Sequence, residues 1–154
     1  MLHIRSRALF AALLTMSLAG AASASTPPTT GLGQAWPNAP DVSISPNYHA
    51  YVFVLGGIQY IQINDANGNV LGSVGTAGGQ FITLPIGKFA RLVSTPQQPA
   101  ATTSRATPIA SPTTVYNDGT TTVTATPMSD GTTQLSALQE MCGDPASCGS
   151  KGGA

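Results

Sequence analysis

Residues 48–86 read YHAYVFVLGGIQYIQINDANGNVLGSVGTAGGQFITLPI, and this stretch decides the fold. Its apolar runs are separated by three pairs of turn residues: Gly56-Gly57, Asn67-Gly68 and Gly78-Gly79. Such pairs supply the positive φ angles that two-residue β-hairpins need. The spacing therefore predicts an antiparallel meander of four strands, near 48–55, 58–65, 70–77 and 80–85.

Folding the chain at these turns gives one consistent register. The first turn places Val52 opposite Ile61. The second turn places Ile61 opposite Val74, and it also places Asn64 opposite Leu71. A slip of one residue would move every side chain to the other face of the sheet, so the agreement between turns supports the register.

Both faces of the predicted sheet are apolar, because side chains alternate along a strand. One face collects Ala50, Val52, Val54, Ile61, Ile63, Val70, Val74 and Phe81. The other collects Tyr51, Phe53, Leu55, Ile58, Tyr60, Leu71, Ile82 and Leu84. An uncovered apolar face favours aggregation, so the second face needs a cover. The C-terminal half of the chain, a partner, or a second copy bound by self-association would supply it.

Three aromatic residues, Tyr51, Phe53 and Tyr60, cluster on the second face. Such a cluster is either a contact surface for a protein or a glycan, or part of the core beneath whatever covers the sheet. Core packing is the commoner outcome. We take the three residues as the candidate binding surface.

Residues 114–137 contain two copies of a twelve-residue repeat that share Asp-Gly-Thr-Thr. The first copy predicts a β-hairpin around Asn117-Asp118-Gly119, and the second predicts a turn at Asp130-Gly131. The repeat favours a strand after the second turn. Two other features argue for a short helix at 133–141: Leu135, Leu138 and Met141 are spaced three apart, and 137–141 are good helix formers. We therefore predict the helix over the strand.

The first 24 residues are typical of a secretory signal peptide. A basic start is followed by an apolar run over 8–19 and by the small residues Ala22-Ser23-Ala24. The apolar run is shorter than the ~20 residues that span a bilayer. We therefore expect cleavage before Ser25 and export to the periplasm or the extracellular space, without stable membrane insertion.

The sequence divides into five expected segments. They are a signal peptide (1–24), a flexible lead-in (25–47), a β-meander core (48–93), a Ser/Thr/Pro-rich linker (94–113), and a repeat-containing hairpin with a disulfide-bearing tail (114–154). Proline and small polar residues make the lead-in and the linker flexible, although Trp36, Val42 and Ile44 could pin part of the lead-in. The fold class is all-β and mainly antiparallel.

Composition excludes several classes of partner. After cleavage, four basic residues stand against six acidic ones, a net charge of −2. So few basic residues cannot form the positive surface that nucleic acid binding requires. The expected partner is an unidentified protein or a component of the cell envelope.

The two cysteines, Cys142 and Cys148, are predicted to form a disulfide. An isolated pair at short separation, with Gly143 and Asp144-Pro145 favouring a turn between them, fits an oxidising compartment. A metal site would need further ligands, and after signal cleavage the chain offers only one histidine, His49.

No cofactor, metal or catalytic residue is predicted. The Asp65-Ala66-Asn67-Gly68-Asn69 run departs from the calcium-loop pattern and fits a hairpin turn. The sequence places no carboxylate to orient His49, and no Gly-x-Ser-x-Gly motif marks a nucleophile. The favoured function is a non-catalytic binding or structural module acting through its sheet and turns, for example an inhibitor of a hydrolase. The alternative is a small secreted hydrolase using His49 with an unidentified nucleophile.

Overall fold

The computed structural model describes residues 28–101 and 106–140, which form two β-sheets around one core. Sheet A contains four strands in chain order, β1 (Tyr48–Leu55), β2 (Ile58–Asp65), β3 (Val70–Ala77) and β4 (Gln80–Leu84). All neighbouring pairs in sheet A are antiparallel. The all-β class and the four-stranded meander predicted from the sequence are confirmed.

The predicted register is correct except beside the turn between β2 and β3. Ile61 lies opposite both Val52 and Val74, as predicted. Asn64, however, lies opposite Val70, so its predicted pairing with Leu71 is wrong. The cause is a β-bulge in which Leu71 is the extra residue, and it brings Leu71 into the core between the sheets.

The bulge follows from the kind of turn that Asp65 builds. Its backbone N–H donates to the carbonyl of Asn69 at 3.0 Å, and its carboxylate accepts the N–H groups of Asn67 and Asn69 at 2.9 Å. Only Gly68 in this loop has a positive φ, +84°. The turn is therefore a three-residue loop with a left-handed glycine, and Asn67 does not need the positive φ of a two-residue hairpin.

Sheet B has the order β5-β8-β7-β6, with strands β5 (Val93–Ser94), β6 (Thr113–Asn117), β7 (Thr121–Pro127) and β8 (Thr133–Gln139). β5 is parallel to β8, and the other pairs are antiparallel. A single turn of 3₁₀ helix, Ala90–Leu92, precedes β5. The hairpin predicted around Asn117-Asp118-Gly119 joins β6 to β7.

The short helix favoured at 133–141 is wrong in the described part of that range, because 133–139 form β8. Leu135 and Ala137 both point into the core, at the two-residue spacing of a strand. They pair with Ala125 and Val123 of β7, which belong to the other half of the repeat. This pairing and burial outweigh the modest helix propensity of the segment.

Sheet B covers one apolar face of sheet A, so the C-terminal half of the chain supplies the cover for that face. The core residues from sheet A are Ala50, Ile61, Ile63, Leu71, Val74 and Phe81. Those from the C-terminal half are Val93, Val115, Tyr116, Val123, Ala125, Leu135 and Ala137. Val70, predicted for this core, is only half-buried because of the bulge beside it.

The lead-in covers the lower part of the outer face of sheet A, the face turned away from sheet B. Gln62 Oε1 accepts the N–H of Gly33 at 2.6 Å, and Gln62 Nε2 donates to the carbonyl of Gln34 at 2.8 Å. Asn64 Nδ2 donates to the carbonyl of Ala35 at 2.7 Å. Gln62 and Asn64 have no exposed surface. These two amide side chains attach a segment for which the sequence predicts flexibility.

Two stretches of chain close the sides between the sheets. On one side, Val42 N–H donates to the carbonyl of Ala50 in β1, and Ile44 N–H donates to that of Val115 in β6, both at 2.9 Å. On the other side, Phe89 N–H donates to the carbonyl of Leu71 at 2.7 Å as the chain crosses towards β5. We call the end of the sandwich that carries turns 56–57, 78–79 and 118–120 the upper end. The lower end carries 66–69 and 128–132.

Candidate functional site

The imidazole of His49, near the start of β1, pairs with a carboxylate from the lead-in. Nδ1 of His49 lies 2.6 Å from Oδ2 of Asp41. The other oxygen of Asp41, Oδ1, accepts the backbone N–H groups of Ser43 and Ala50, each at 3.0 Å. The interpretation that no carboxylate orients His49 is wrong, because Asp41 lies antiparallel to β1, in a β-bridge with Tyr51.

Two aromatic rings complete this group, which we call the His49 cluster (Trp36, Asp41, His49 and Tyr51). The Trp36 ring meets the imidazole edge-on, with centroids 5.2 Å apart, and the Tyr51 ring is stacked with it at 6.2 Å. The alternation of Val42 and Ile44 with polar residues was the one sequence signal that an extended segment beside β1 would bring Asp41 here.

The electrostatics of the cluster favour an ionised Asp41. Partial burial raises the pKa of its carboxyl group. Hydrogen bonds from His49, Ser43 and Ala50, together with the charge of a protonated imidazole, outweigh burial and lower the pKa below its usual value of 3.8. Asp41 is therefore a carboxylate at neutral pH, able to hold the imidazole in one orientation.

The described residues assemble no nucleophile on the imidazole. The nearby hydroxyl of Ser43 lies 3.0 and 3.3 Å from the carbonyl oxygens of Ser45 and Val115, which share its single O–H, and it so holds the closing segment in place. No group of three or more potential metal ligands occurs in 28–101 and 106–140. The cluster presents the exposed Trp36 ring beside a polar pair.

The three aromatic residues proposed as a binding surface lie on one face of sheet A, with Phe53 opposite Tyr60, but they differ in exposure. Tyr51 and Phe53 are each only 5% exposed, so their rings pack against neighbours and offer little area for contact. Tyr60 is partly exposed on the upper half of the outer face. Tyr51 and Phe53 are therefore packed beneath a cover, which was the alternative interpretation of the cluster.

An apolar patch remains open on the upper half of the outer face. We call it the upper patch and define it as Leu55, Ile58, Tyr60 and Ile82. Leu55 is 73% exposed and Ile82 is 54% exposed. The side chains of Tyr60 and Ile82 flank Gly75, where an added Cβ would lie 3.4 and 3.0 Å from them, so the missing side chain leaves a shallow groove.

A hydrogen-bonded group ties the sheets together at the upper end. Gln59 Nε2 donates to the hydroxyl of Tyr116 at 2.7 Å, and that hydroxyl donates to Oδ2 of Asp118 at 2.9 Å. Burial, reinforced by the hydrogen bond and charge of Asp118, raises the pKa of Tyr116 strongly. The phenol therefore stays protonated and structural. The carboxylate of Asp118 also accepts the N–H groups of Thr120 and Thr121.

The disulfide and the signal peptide expected from the sequence remain predictions. Cys142 and Cys148 lie outside the described residues, and so does the proposed signal peptide. Among the described residues, no helix has the length and apolarity needed to cross a membrane. The chain matches no known protein family, no curated protein and no solved structure.

Proposed function

We propose that this chain is a small exported binding module that acts without catalysis, through the upper patch. The observation that carries the proposal is an apolar outer surface left open after the lead-in has covered the lower part of the same face. Soluble domains rarely leave contiguous apolar area without a use for it.

The chemistry of the upper patch suits a protein partner. Its defining residues carry no charge, and neither do Gln80 and Thr76 beside the groove. A partner would therefore bury apolar area without desolvating an ion. Tyr60 adds an aromatic ring with a polar hydroxyl, a residue type enriched in protein interfaces. A rigid sheet also loses little conformational entropy on binding, which favours a tight module such as an inhibitor of a secreted hydrolase.

The test compares patch variants with a control on the other sheet. Leu55→Ser and Ile82→Ser remove apolar area from the upper patch. Leu138→Ser removes it from a position in β8 that is 50% exposed, close to the 54% of Ile82. Each tagged mature protein is used to capture partners from the envelope fraction of the host, with melting curves to verify folding. We expect a partner that is lost with both patch variants and retained with the control.

Two results would overturn this proposal. A partner retained equally by all three variants would place binding elsewhere. Concentration-dependent dimers of the wild type that dissociate in Ile82→Ser, measured by sedimentation equilibrium, would assign the patch to self-association. Export is tested separately, because N-terminal sequencing of material outside the cytoplasm should begin at Ser25.

The Asp41–His49 pair favours one second candidate, a small secreted hydrolase. A carboxylate that orients an imidazole is the supporting half of a nucleophile–histidine–acid arrangement. This candidate requires hydrolysis of an ester, peptide or glycan substrate that disappears in His49→Ala. Equal activity of wild type and His49→Ala on such a substrate panel would remove it.

A further inference from the structure

A polar cleft of about 400 Å³ opens at the lower end, away from the upper patch. It adjoins the His49 cluster, because the Trp36 ring packs against Gly68 in the 65–69 turn. Four stretches of chain form its walls: 47–48, 65–69, 88–89 and 131–133. Its volume lies within the range of roughly 300–1,000 Å³ that is typical of small-molecule sites. The cleft draws on both sheets, so it exists only once the sandwich has formed.

Five side chains around the cleft have hydrogen-bonding groups to spare. Asn47, Asn67 and Lys88 use only their backbone N–H groups in hydrogen bonds within the described residues. The hydroxyls of Tyr48 and Thr133 have no hydrogen-bond partner there either. Together these groups provide amide donors, amide acceptors, hydroxyls and one ammonium around a single space.

The walls are fixed before any ligand arrives. The carboxylate of Asp65 accepts three hydrogen bonds inside its own turn, from the backbone of Asn67 and from the backbone and side chain of Asn69. Lys88 N–H donates to the carbonyl of Val70 at 2.8 Å, and the Lys88 ammonium lies 5.1 Å from the centre of the Phe89 ring. A preorganised site avoids the entropy cost of ordering its own loops.

The charges at the cleft balance. Among the described residues that line it, Lys88 is the one cation and Asp65 the one anion, and their interaction contributes to lowering the pKa of Asp65. Burial and the charge of Asp65 raise the pKa of Tyr48, so its hydroxyl stays protonated and able to donate a hydrogen bond at all physiological pH values. A phosphate or polyanion would need more cations than this, and an apolar ligand would leave the amides without partners.

We propose that this lower cleft binds a neutral saccharide. Sugar hydroxyls both donate and accept hydrogen bonds, which matches the mixture of amide, hydroxyl and ammonium groups around the space. The half-buried ring of Tyr48 provides an apolar wall with a polar edge. The site is separate from the upper patch, so it goes beyond the proposed function and can fail without it.

The experiment is an NMR titration of the isotope-labelled mature chain with glucose, galactose, mannose and N-acetylglucosamine. Each sugar is added to about 10 mM, enough to approach saturation for a dissociation constant near 1 mM. We expect at least one sugar to shift the amide signals of 47–48, 65–69, 88–89 and 131–133. Asn67→Ala and Lys88→Met should each weaken binding by about fivefold to tenfold, the loss of roughly one hydrogen bond.

Matched controls separate this site from general effects. Gln80→Ala removes an exposed amide at the upper end, and Arg91→Met removes a positive charge outside the cleft; both should leave affinity unchanged. Tyr48→Phe keeps the ring and removes only the hydroxyl, so it replaces any cleft variant that folds poorly. Absence of these shifts with all four sugars would overturn the proposal. So would undiminished binding in Asn67→Ala, or tighter binding of glucuronate or acetate than of any neutral sugar.

Discussion

Oδ2 of Asp41 lies 2.6 Å from Nδ1 of His49, and this contact fastens the lead-in to β1. The same carboxylate accepts the N–H of Ala50, a β1 residue with no exposed surface. One side chain therefore orients the imidazole, satisfies a strand N–H and helps to close the side of the sandwich. Its ionisation state should consequently affect the stability of the fold.

We expect acid to destabilise the protein through Asp41. The pKa of this carboxyl is below 3.8 in the folded state, because hydrogen bonds from His49, Ser43 and Ala50 outweigh the effect of burial. A group with a depressed folded pKa contributes stability that is complete above its unfolded pKa and is lost as the pH falls through the folded value. Urea unfolding from about pH 7 to 2 should therefore show stability declining below about pH 5.

Asp41→Asn provides the control for this pH dependence. The amide keeps an oxygen that can accept from Ala50 but loses the charge that pairs with His49. Since both side chains are partly exposed, the cost at neutral pH should be below about 1 kcal/mol. The decline in acid should be shallower than in the wild type, with the remainder due to Asp65, Asp118 and Asp130, whose pKa values are also lowered. An unchanged decline would show that Asp41 has no part in it.

Ile61 should be among the most costly residues to truncate. It is fully buried in sheet A between Val52 and Val74 and faces sheet B. Ile61→Ala should lower the free energy of unfolding by about 2–5 kcal/mol, through lost burial and a cavity. Val54→Ala, at a 70% exposed position, should change it by less than about 0.5 kcal/mol. Equal losses in chemical denaturation would mean that the core lies elsewhere.

The meander could be predicted because its signals are local. Paired glycines at 56–57 and 78–79 have the positive φ angles of two-residue turns, and alternation then assigns each side chain to a face. The turn after Asp65 departed from this scheme because a side chain, and not a second left-handed residue, closes the loop. Composition alone does not show that a carboxylate will accept two N–H groups of its own turn.

The candidate sites could not be predicted because they depend on contacts between distant segments. Asp41 is eight residues from His49, and no periodicity links them until the lead-in lies beside β1. Gln62 and Asn64 look like solvent-facing strand residues in the sequence. Their burial is explained only by the carbonyls of Gln34 and Ala35 that accept their side-chain N–H groups. At 133–139, likewise, the local sequence fitted both a helix and a strand, and pairing with β7 decided for the strand β8.

The lead-in should exchange its amide hydrogens slowly where the sheet holds it. Asn64 Nδ2 donates to the carbonyls of Ala35 and Gly68, at 2.7 and 3.2 Å. Asn64→Ala removes both bonds, so hydrogen exchange in peptides covering 30–38 should accelerate by about fivefold or more, the loss of at least one hydrogen bond. Mass spectrometry measures this directly. Gln80→Ala is the control, and fast exchange in the wild type would instead support the flexible lead-in predicted from the sequence.

Cys142 and Cys148 should be linked in mature, oxidised protein. Non-reducing peptide mapping should give one cross-linked fragment, because the spacing closes a short loop and the proposed export would place it in an oxidising compartment. Two freely alkylated thiols would contradict this. Replacing both cysteines with serine should change the free energy of unfolding by less than about 1 kcal/mol, since the pair follows β8, the last strand among the described residues, and closes only a short loop.

Gly87 should tolerate no side chain, whereas Gly119 should tolerate one at modest cost. Both have positive φ angles, +107° and +81°, so alanine adds backbone strain of about 1–2 kcal/mol at either position. At Gly87 an added Cβ would also lie 2.6 Å from the backbone nitrogen of Gly72 and from the carbonyl of Leu71, at the bulge of β3. At Gly119 no atom lies within 4 Å. Backbone atoms cannot move aside as a flexible side chain would.

The two alanine variants therefore separate strain from steric exclusion. Gly119→Ala should lower the free energy of unfolding by about 1–2 kcal/mol. Gly87→Ala should lower it by more than about 3 kcal/mol, since the chain crossing between the sheets must also move away from β3. Urea unfolding monitored by the fluorescence of Trp36 measures both. Similar losses in the two variants would show that the crossing segment does not lie as close to Leu71 and Gly72 as described.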